Sequence, residues 1–354
     1  MIKSGSTILL VSPESWDHMW VSKHHYAVHL ANRGYQVIFL NPPGNRWSLH
    51  QTEFQNLRIL DYPGFVKGVR KMPVSLAKYF VNKVFKRITA LVGTAVDIIW
   101  QFDSTSFFDF NYLGNEVTKI LHVVDLNQTT NIGRLASSAD ICFYCSDPIG
   151  RVLNKYNDRC FFINHGYSTI QSDNYKFDWD HEINIGYAGN LDIKYLDWET
   201  IRQSIIKHPG IGFQFAGHCA DLDKLEFFEQ CPNASWVGPL PKERLYSFYS
   251  QVDGLLICYD VEHHKDQLAN PHKLLEYLGS GKPIIASHTI QYETVDDDVI
   301  CMVYQHRQWH EKFGEFIQSL KHLSHKTYSQ KRIDLAMMNT YEKHISRIED
   351  LMNE

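Results

Sequence analysis

Two stretches of the chain repeat one pattern: a short apolar run, a helical segment and a second apolar run. That pattern leaves few folds open. Thr7–Val11, Ser22–Asn32 closed by Gly34, and Tyr35–Leu40 form the first copy; Ile183–Ala188, Trp198–Lys207 and Gly212–Ala216 form the second. Two apolar strands joined through a helix lie parallel, because the crossover is too long for a hairpin. Further runs at Asp97–Gln101, Lys119–Val124, Ile141–Cys145 and Cys160–Ile163 extend the first sheet. Ser235–Val237, Gly254–Tyr259 and Pro283–Ser287 extend the second. The expected architecture is α/β with two doubly wound domains, residues 1–168 and 183–332, joined by a polar linker at 169–182. From Ile333 to Met352, apolar residues at three- and four-residue intervals predict one amphipathic helix over the tail, 333–354. The length of 354 residues suits two cores of roughly 150 to 180 residues each.

The chemistry concentrates in Asn270–Ser287. Leu274, Leu275 and Leu278 recur at helical spacing, Gly279 and Gly281 stop the helix, and Pro-Ile-Ile-Ala opens a buried strand. Asn270 is a suitable N-cap and Pro271 a suitable first helical residue, so the amides of His272, Lys273 and Leu274 are expected to point out of a positive helix end. Such an end binds phosphate. Glu276 lies one turn further on, where its carboxylate can accept two ribose hydroxyls or simply be a solvated helix acid. The turn after the first strand of the second domain, Gly186–Asn190, lets a ligand approach the backbone at Gly189.

The Asn270–Ser287 stretch resembles the signature of retaining family-4 glycosyltransferases, a Pro-x-Lys-x-x-Glu-Tyr-x-x-x-Gly-Lys-Pro segment that holds the diphosphate and ribose of a nucleotide sugar. Pro271, Lys273, Glu276, Tyr277, Gly281, Lys282 and Pro283 stand at the matching places. The resemblance implies the GT-B fold, two Rossmann-like domains facing across a cleft, with the C-terminal helix crossing back to the first domain. It implies a nucleotide-sugar donor bound by Gly189, Asn190, Gly238, Asn270, Pro271, His272, Lys273, Leu274 and Glu276. It implies a glycan or lipid-linked glycan acceptor in cell-surface polysaccharide biosynthesis, closest to the teichuronic-acid branch. In the donor domain the chain departs from the pattern at two places: Leu268 stands where many members carry a second glutamate, and Asn190-Leu191 where many carry an arginine. Lys194 is then the nearby cation left to act on the diphosphate. Helix amides and lysine would take the place of a metal, so no cofactor is expected, the nucleotide sugar being substrate.

In the first domain, the loop Ser12–His25 is rich in Trp, His and Asp and follows a strand at its carboxyl end, where open parallel sheets bind ligands. Trp16, Trp20 and His24 are its acceptor-side candidates; the tryptophans can stack on a sugar ring or cover the sheet edge. Asp125 follows a strand directly and reads as a catalytic or acceptor-binding acid, or as a cap.

Charge separates the remaining possibilities. The net charge of −5 gives no support to a nucleic-acid partner. From Tyr62 to Val96, however, there is no acidic residue, while Lys67, Arg70, Lys71, Lys78, Lys83, Lys86 and Arg87 are all basic. On a helix, Leu76, Phe80, Val84, Ile88 and Leu91, with Ala77, Val81 and Phe85, fill one half and most of the basic residues the other. Residues 67–92 are thus either an ordinary packed helix or a face for an anionic membrane surface. With no leader peptide and no spanning segment legible, the expected location is cytoplasmic, peripheral on the inner face of the membrane if that helix binds it. Seven scattered cysteines fit a reduced compartment. Asp178–Asp180, Asp221–Asp223 and the His306/His310 pair are set aside as metal sites, the first two by position and the last for want of further ligands. Two other classes share the architecture: a sugar-nucleotide epimerase of the same fold, and a non-catalytic two-domain binding protein.

Overall fold

The computed structural model describes residues 5–18, 20–129, 132–169 and 172–354. The chain divides into two compact units, Met1–Gly166 with Tyr341–Glu354, and Tyr167–Thr340.

The first unit holds β1 (Thr7–Val11), α1 (Ser22–Asn32), β2 (Gln36–Leu40), β3 (Ser48–Gln51), β4 (Leu57–Asp61), α2 (Val74–Val92), β5 (Ile98–Gln101), β6 (Thr118–Val123), α3 (Gly133–Ser138), β7 (Ile141–Tyr144), α4 (Asp147–Leu153) and β8 (Cys160–Phe162). The sheet order is β3-β4-β2-β1-β5-β6-β7-β8, parallel except for β3 against β4. Alternate residues of β1 serve two cores. Ile8 and Leu10 pack with Tyr26, Ala27 and Leu30 of α1, and Leu9 and Val11 with Ala77, Val81, Phe85 and Ile88 of α2. A strand buried on both faces reads as a continuous apolar run, which is why it was legible.

The second unit holds β9 (Ile183–Ala188), α5 (Trp198–Lys207), β10 (Ile211–Ala216), α6 (Leu222–Gln230), β11 (Ala234–Trp236), α7 (Lys242–Gln251), β12 (Gly254–Ile257), α8 (Val261–His264), α9 (Lys273–Ser280), β13 (Ile284–Ser287), β14 (Cys301–Val303), α10 (Trp309–Leu323) and α11 (Lys326–Met337). Its sheet is wholly parallel, in the order β11-β10-β9-β12-β13-β14. Arg332 of α11 is fully buried and donates to the carbonyls of Gly281 (3.1 Å), Asp298 (3.0 Å) and Leu323. It thereby closes the C-terminal end of α9 onto the elements behind it.

Two expectations are revised. The tail is two helices, α11 and α12 (Tyr341–Asn353), and they belong to different units. The break falls where Thr340 bridges Tyr167 and the Tyr167 amide donates to the Asn339 carbonyl at 2.7 Å, a tertiary pairing that outweighs the continuous apolar periodicity. α12 then packs in the first unit, with Tyr341 stacked on His25 at 5.0 Å and Glu349 bonded to Arg33 and Tyr35. The segment 169–182, read as a linker, belongs to the second unit; positions 170 and 171 lie outside the described residues. Phe177 stacks on Trp179 at 5.2 Å, both meet Phe248 edge-on, and Asp173 accepts from Ser247 at 2.6 Å.

Candidate active site

α9 starts at Lys273, three residues after the expected cap. The Leu274 and Leu275 amides bond back to the carbonyls of Pro271 (3.0 Å) and His272 (3.1 Å), a tight first turn that Pro271 nucleates by fixing its own φ. Asn270 is buried ahead of it. Of the three amides expected to face a ligand, that of Leu274 is therefore used within the chain.

From this start the helix presents two faces. Leu274, Leu275, Tyr277 and Leu278 are fully buried, while Lys273 and Glu276 are half-buried on the other side. Glu276 Oε2 accepts from Lys273 Nζ at 2.8 Å and from the Tyr249 hydroxyl at 2.9 Å, and His272 Nδ1 stands 3.6 Å from Oε1. Burial alone would raise the pKa of this carboxyl; the charges of Lys273 and His272 and the two hydrogen bonds outweigh it and hold it at about 2. Lys242, the first residue of α7, also lies in the field of this carboxylate. Glu276 is thus a fixed anion in a basic surround.

Gly189, Gly217 and Gly238 follow the carboxyl ends of three neighbouring strands, β9, β10 and β11. The Gly189 amide donates to Ala216 at 2.8 Å and the Gly217 amide to Gly238 at 2.9 Å. A Cβ on Gly217, whose φ is +131°, would lie 1.9 Å from the Gly189 carbonyl oxygen, so two backbones touch where no other residue fits. Tyr277 ties this end to α9: its hydroxyl accepts from the Ala188 amide at 2.8 Å. Asn190 turns its side chain back to the Asp192 amide at 2.9 Å.

Lys194 has a different setting. It lines a cavity of about 390 Å³ together with Asp197, Glu199, Asp260, Glu262 and His306. Four carboxylates around one lysine make that cavity acidic, unlike the surround of Glu276. Leu268, at the place of the second glutamate, is 3% exposed and part of the core. His306 bonds Thr200 at 2.7 Å and also reaches Asp197, and His310 faces Ser204 at 3.4 Å, so both histidines are held by α5. Asp221 caps α6, accepting from the amides of Asp223 and Lys224.

The first-unit candidates fall into two groups. Trp16 is 8% exposed and packs on Phe39 and Phe54, and His24 is fully buried. His24 Nδ1 accepts from the Val21 amide at 3.2 Å, which leaves Nε2 as the donor to the Ser15 carbonyl at 3.0 Å. Both side chains thus hold the loop together. Trp20 is 39% exposed and lies parallel to His24, a surface on which a ring can stack. Asp125 is exposed and accepts from the Asn127 amide at 2.9 Å, the capping geometry of the short turn that follows.

Sequence reasoning missed Tyr249, Lys242 and the role of Tyr277. In α7, LYSFYSQ reads as an ordinary aromatic core face, and nothing local marks Tyr249 as the residue that meets a carboxylate. Tyr277 was visible as a motif position, but its partner is 89 residues away.

Comparison with solved structures places the fold. Sucrose-phosphate synthase from Thermosynechococcus elongatus matches with a TM-score of 0.72 at 14% identity, over 98% of each chain. Anabaena HepE in complex with UDP matches with a TM-score of 0.66 at 11% identity, over 98% of this chain and 99% of that one. The fold is GT-B, two Rossmann-like domains, as expected. In sequence, the chain is 27% identical to TuaH of Bacillus subtilis strain 168, a candidate teichuronic acid biosynthesis glycosyltransferase, over 106 residues, 29% of this chain and 26% of that protein. The match spans about a quarter of that relative's length. No family model matches the chain.

Proposed function

We propose that the protein is a glycosyltransferase that binds a nucleotide sugar, with UDP as the nucleotide, at the start of α9, and transfers the sugar to a hydroxyl of a glycan or lipid-linked glycan with retention at the anomeric carbon. The observation that carries this reading is Glu276, ionised and clamped between Lys273 and Tyr249 in the first turn of α9. A carboxylate so held accepts ribose hydroxyls, while Lys273 and the helix end favour the diphosphate. UDP is chosen because HepE, which shares the fold, was solved with UDP bound. In the reaction the bond from the anomeric carbon to the diphosphate oxygen breaks, and that oxygen keeps the electron pair. The acceptor oxygen forms the new bond and its proton passes to the departing diphosphate. Positive charge from Lys273 and the helix end beside the leaving oxygen, which becomes negative, supplies the electrostatic part of catalysis.

The reading extends to an anionic membrane as the place of a lipid-linked acceptor and to the cytoplasmic side as the location. On α2, Ala77, Val81, Phe85, Ile88 and Val92 are buried against the sheet, while Leu76 and Tyr79 are 43% and 59% exposed beside Lys78 and Lys83. Val66 and Val74, next to Lys67 and Lys71, are exposed as well. Apolar side chains among unbalanced lysines suit a charged lipid surface. No described helix is long and apolar enough to cross a membrane.

The experiment is turnover of UDP-sugars with and without an acceptor glycan, in the presence of excess EDTA. UDP release that requires acceptor and survives chelation supports the proposal. Conversion of the donor without acceptor would make the protein an epimerase, and loss of turnover restored by Mn²⁺ would return the Asp-x-Asp segments to consideration.

A further inference from the structure

We infer that Tyr249 is a positioning residue for the donor: it fixes one oxygen of Glu276 and so turns the other to the ligand. The inference rests on the donor site proposed above. Tyr249 is 1% exposed on α7 and cannot itself reach a ligand. Its hydroxyl donates to Glu276 Oε2, the oxygen that Lys273 also holds. With two short donors Oε2 is committed, while Oε1 has His272 Nδ1 at 3.6 Å, beyond hydrogen-bond length. Oε1 is the oxygen left to accept hydroxyls.

A lysine on the same helix cannot impose this alone. The terminal torsion of a glutamate is broad and two-fold, and the flexible Lys273 side chain can follow either oxygen. Tyr249 comes from another helix, its ring packed edge-on to Tyr277 at 5.5 Å, so its hydroxyl is a fixed point. Burial and the adjacent carboxylate push the phenol pKa well above its ordinary value, which keeps it a donor. The groups facing Glu276 are Lys273 on its own helix, His272 just ahead of that helix, and Tyr249 and Lys242 on α7. Its charge is also felt by the phenols of Tyr167, Tyr259 and Tyr277.

The test titrates UDP into wild type, Tyr249→Phe, Glu276→Gln and the double variant across acid pH. Tyr249→Phe keeps the ring and should bind UDP about ten-fold more weakly, since a hydrogen bond to a charged group is lost. The pH at which acid abolishes UDP binding should move upward in that variant, because the carboxylate loses a donor that favours its ionised form. A merely structural tyrosine would not move that midpoint. In the Glu276→Gln background, Tyr249→Phe should change nothing further. If Glu276→Gln weakens UDP but Tyr249→Phe leaves both affinity and acid midpoint at wild type, the inference falls and the donor site stands. If Glu276→Gln binds UDP as wild type does, both fall.

Discussion

The Tyr277 hydroxyl accepts the Ala188 amide at 2.8 Å and faces the Ala188 carbonyl at 3.5 Å, and this pairing joins the helix carrying Glu276 to the strand end that leads into Gly189. Tyr277 is fully buried, so Tyr277→Phe leaves a buried N–H without its acceptor. The variant should lose about 1–3 kcal/mol in urea unfolding and bind UDP more weakly, because the Gly189 turn is no longer tied to α9. Unchanged stability would mean that the amide finds another partner.

The glycine pair predicts a sharp contrast. Gly217→Ala puts a methyl against the Gly189 carbonyl in a backbone region reserved for glycine, and should cost about 3 kcal/mol or more. Gly238→Ala meets open space at φ +77° and should cost only about 1–2 kcal/mol. Thermal unfolding of the two variants side by side checks the order.

Acid should loosen the first unit before neutral pH is far behind. His24, His122 and His344 are buried, and burial lowers the pKa of each, that of His344 to about 4. Their folded pKa values lie below the unfolded one. The contribution of His344 is therefore complete above pH of about 6.5 and is lost as pH falls through about 4, and those of His24 and His122 are lost in the same direction. His344 alone accounts for on the order of 3 kcal/mol. Unfolding curves from pH 7 to 4 should show this slope, and His344→Gln should flatten it.

The basic face of α2 makes a salt-dependent prediction. Binding to anionic vesicles should rise with anionic lipid content and fade as salt shortens the screening length from about 10 Å at 0.1 M toward 3 Å at 1 M. Replacing Lys78, Lys83 and Lys86 with glutamate should release the protein while turnover on a soluble acceptor is kept. Indifference of wild type to anionic vesicles at low salt would leave α2 as ordinary packing.

Much of this was legible in the chain because parallel strands buried on both faces, such as β1 and β9, read as unbroken apolar runs. The pair β3 and β4 was not, since Ser48–Gln51 is polar and at most half-buried at the sheet edge. Glu276 could be picked out because its helix, glycines and following strand are contiguous. The partners that give it its chemistry could not: Tyr249 looks like core in the sequence, and the break at Thr340 depends on pairing with Tyr167 far away in the chain. Lys194 stood out as the nearby cation after Gly189, but its acidic surroundings come in part from Asp260 and Glu262, up to 68 positions later.

The measurement that bears most directly on the central claim is calorimetric titration of UDP into wild type and Glu276→Ala. Wild type should bind, and the variant should bind about ten- to a hundred-fold more weakly while melting as a folded protein. Equal affinity in the two, or no binding of UDP by wild type, would contradict the placing of a nucleotide sugar at the start of α9.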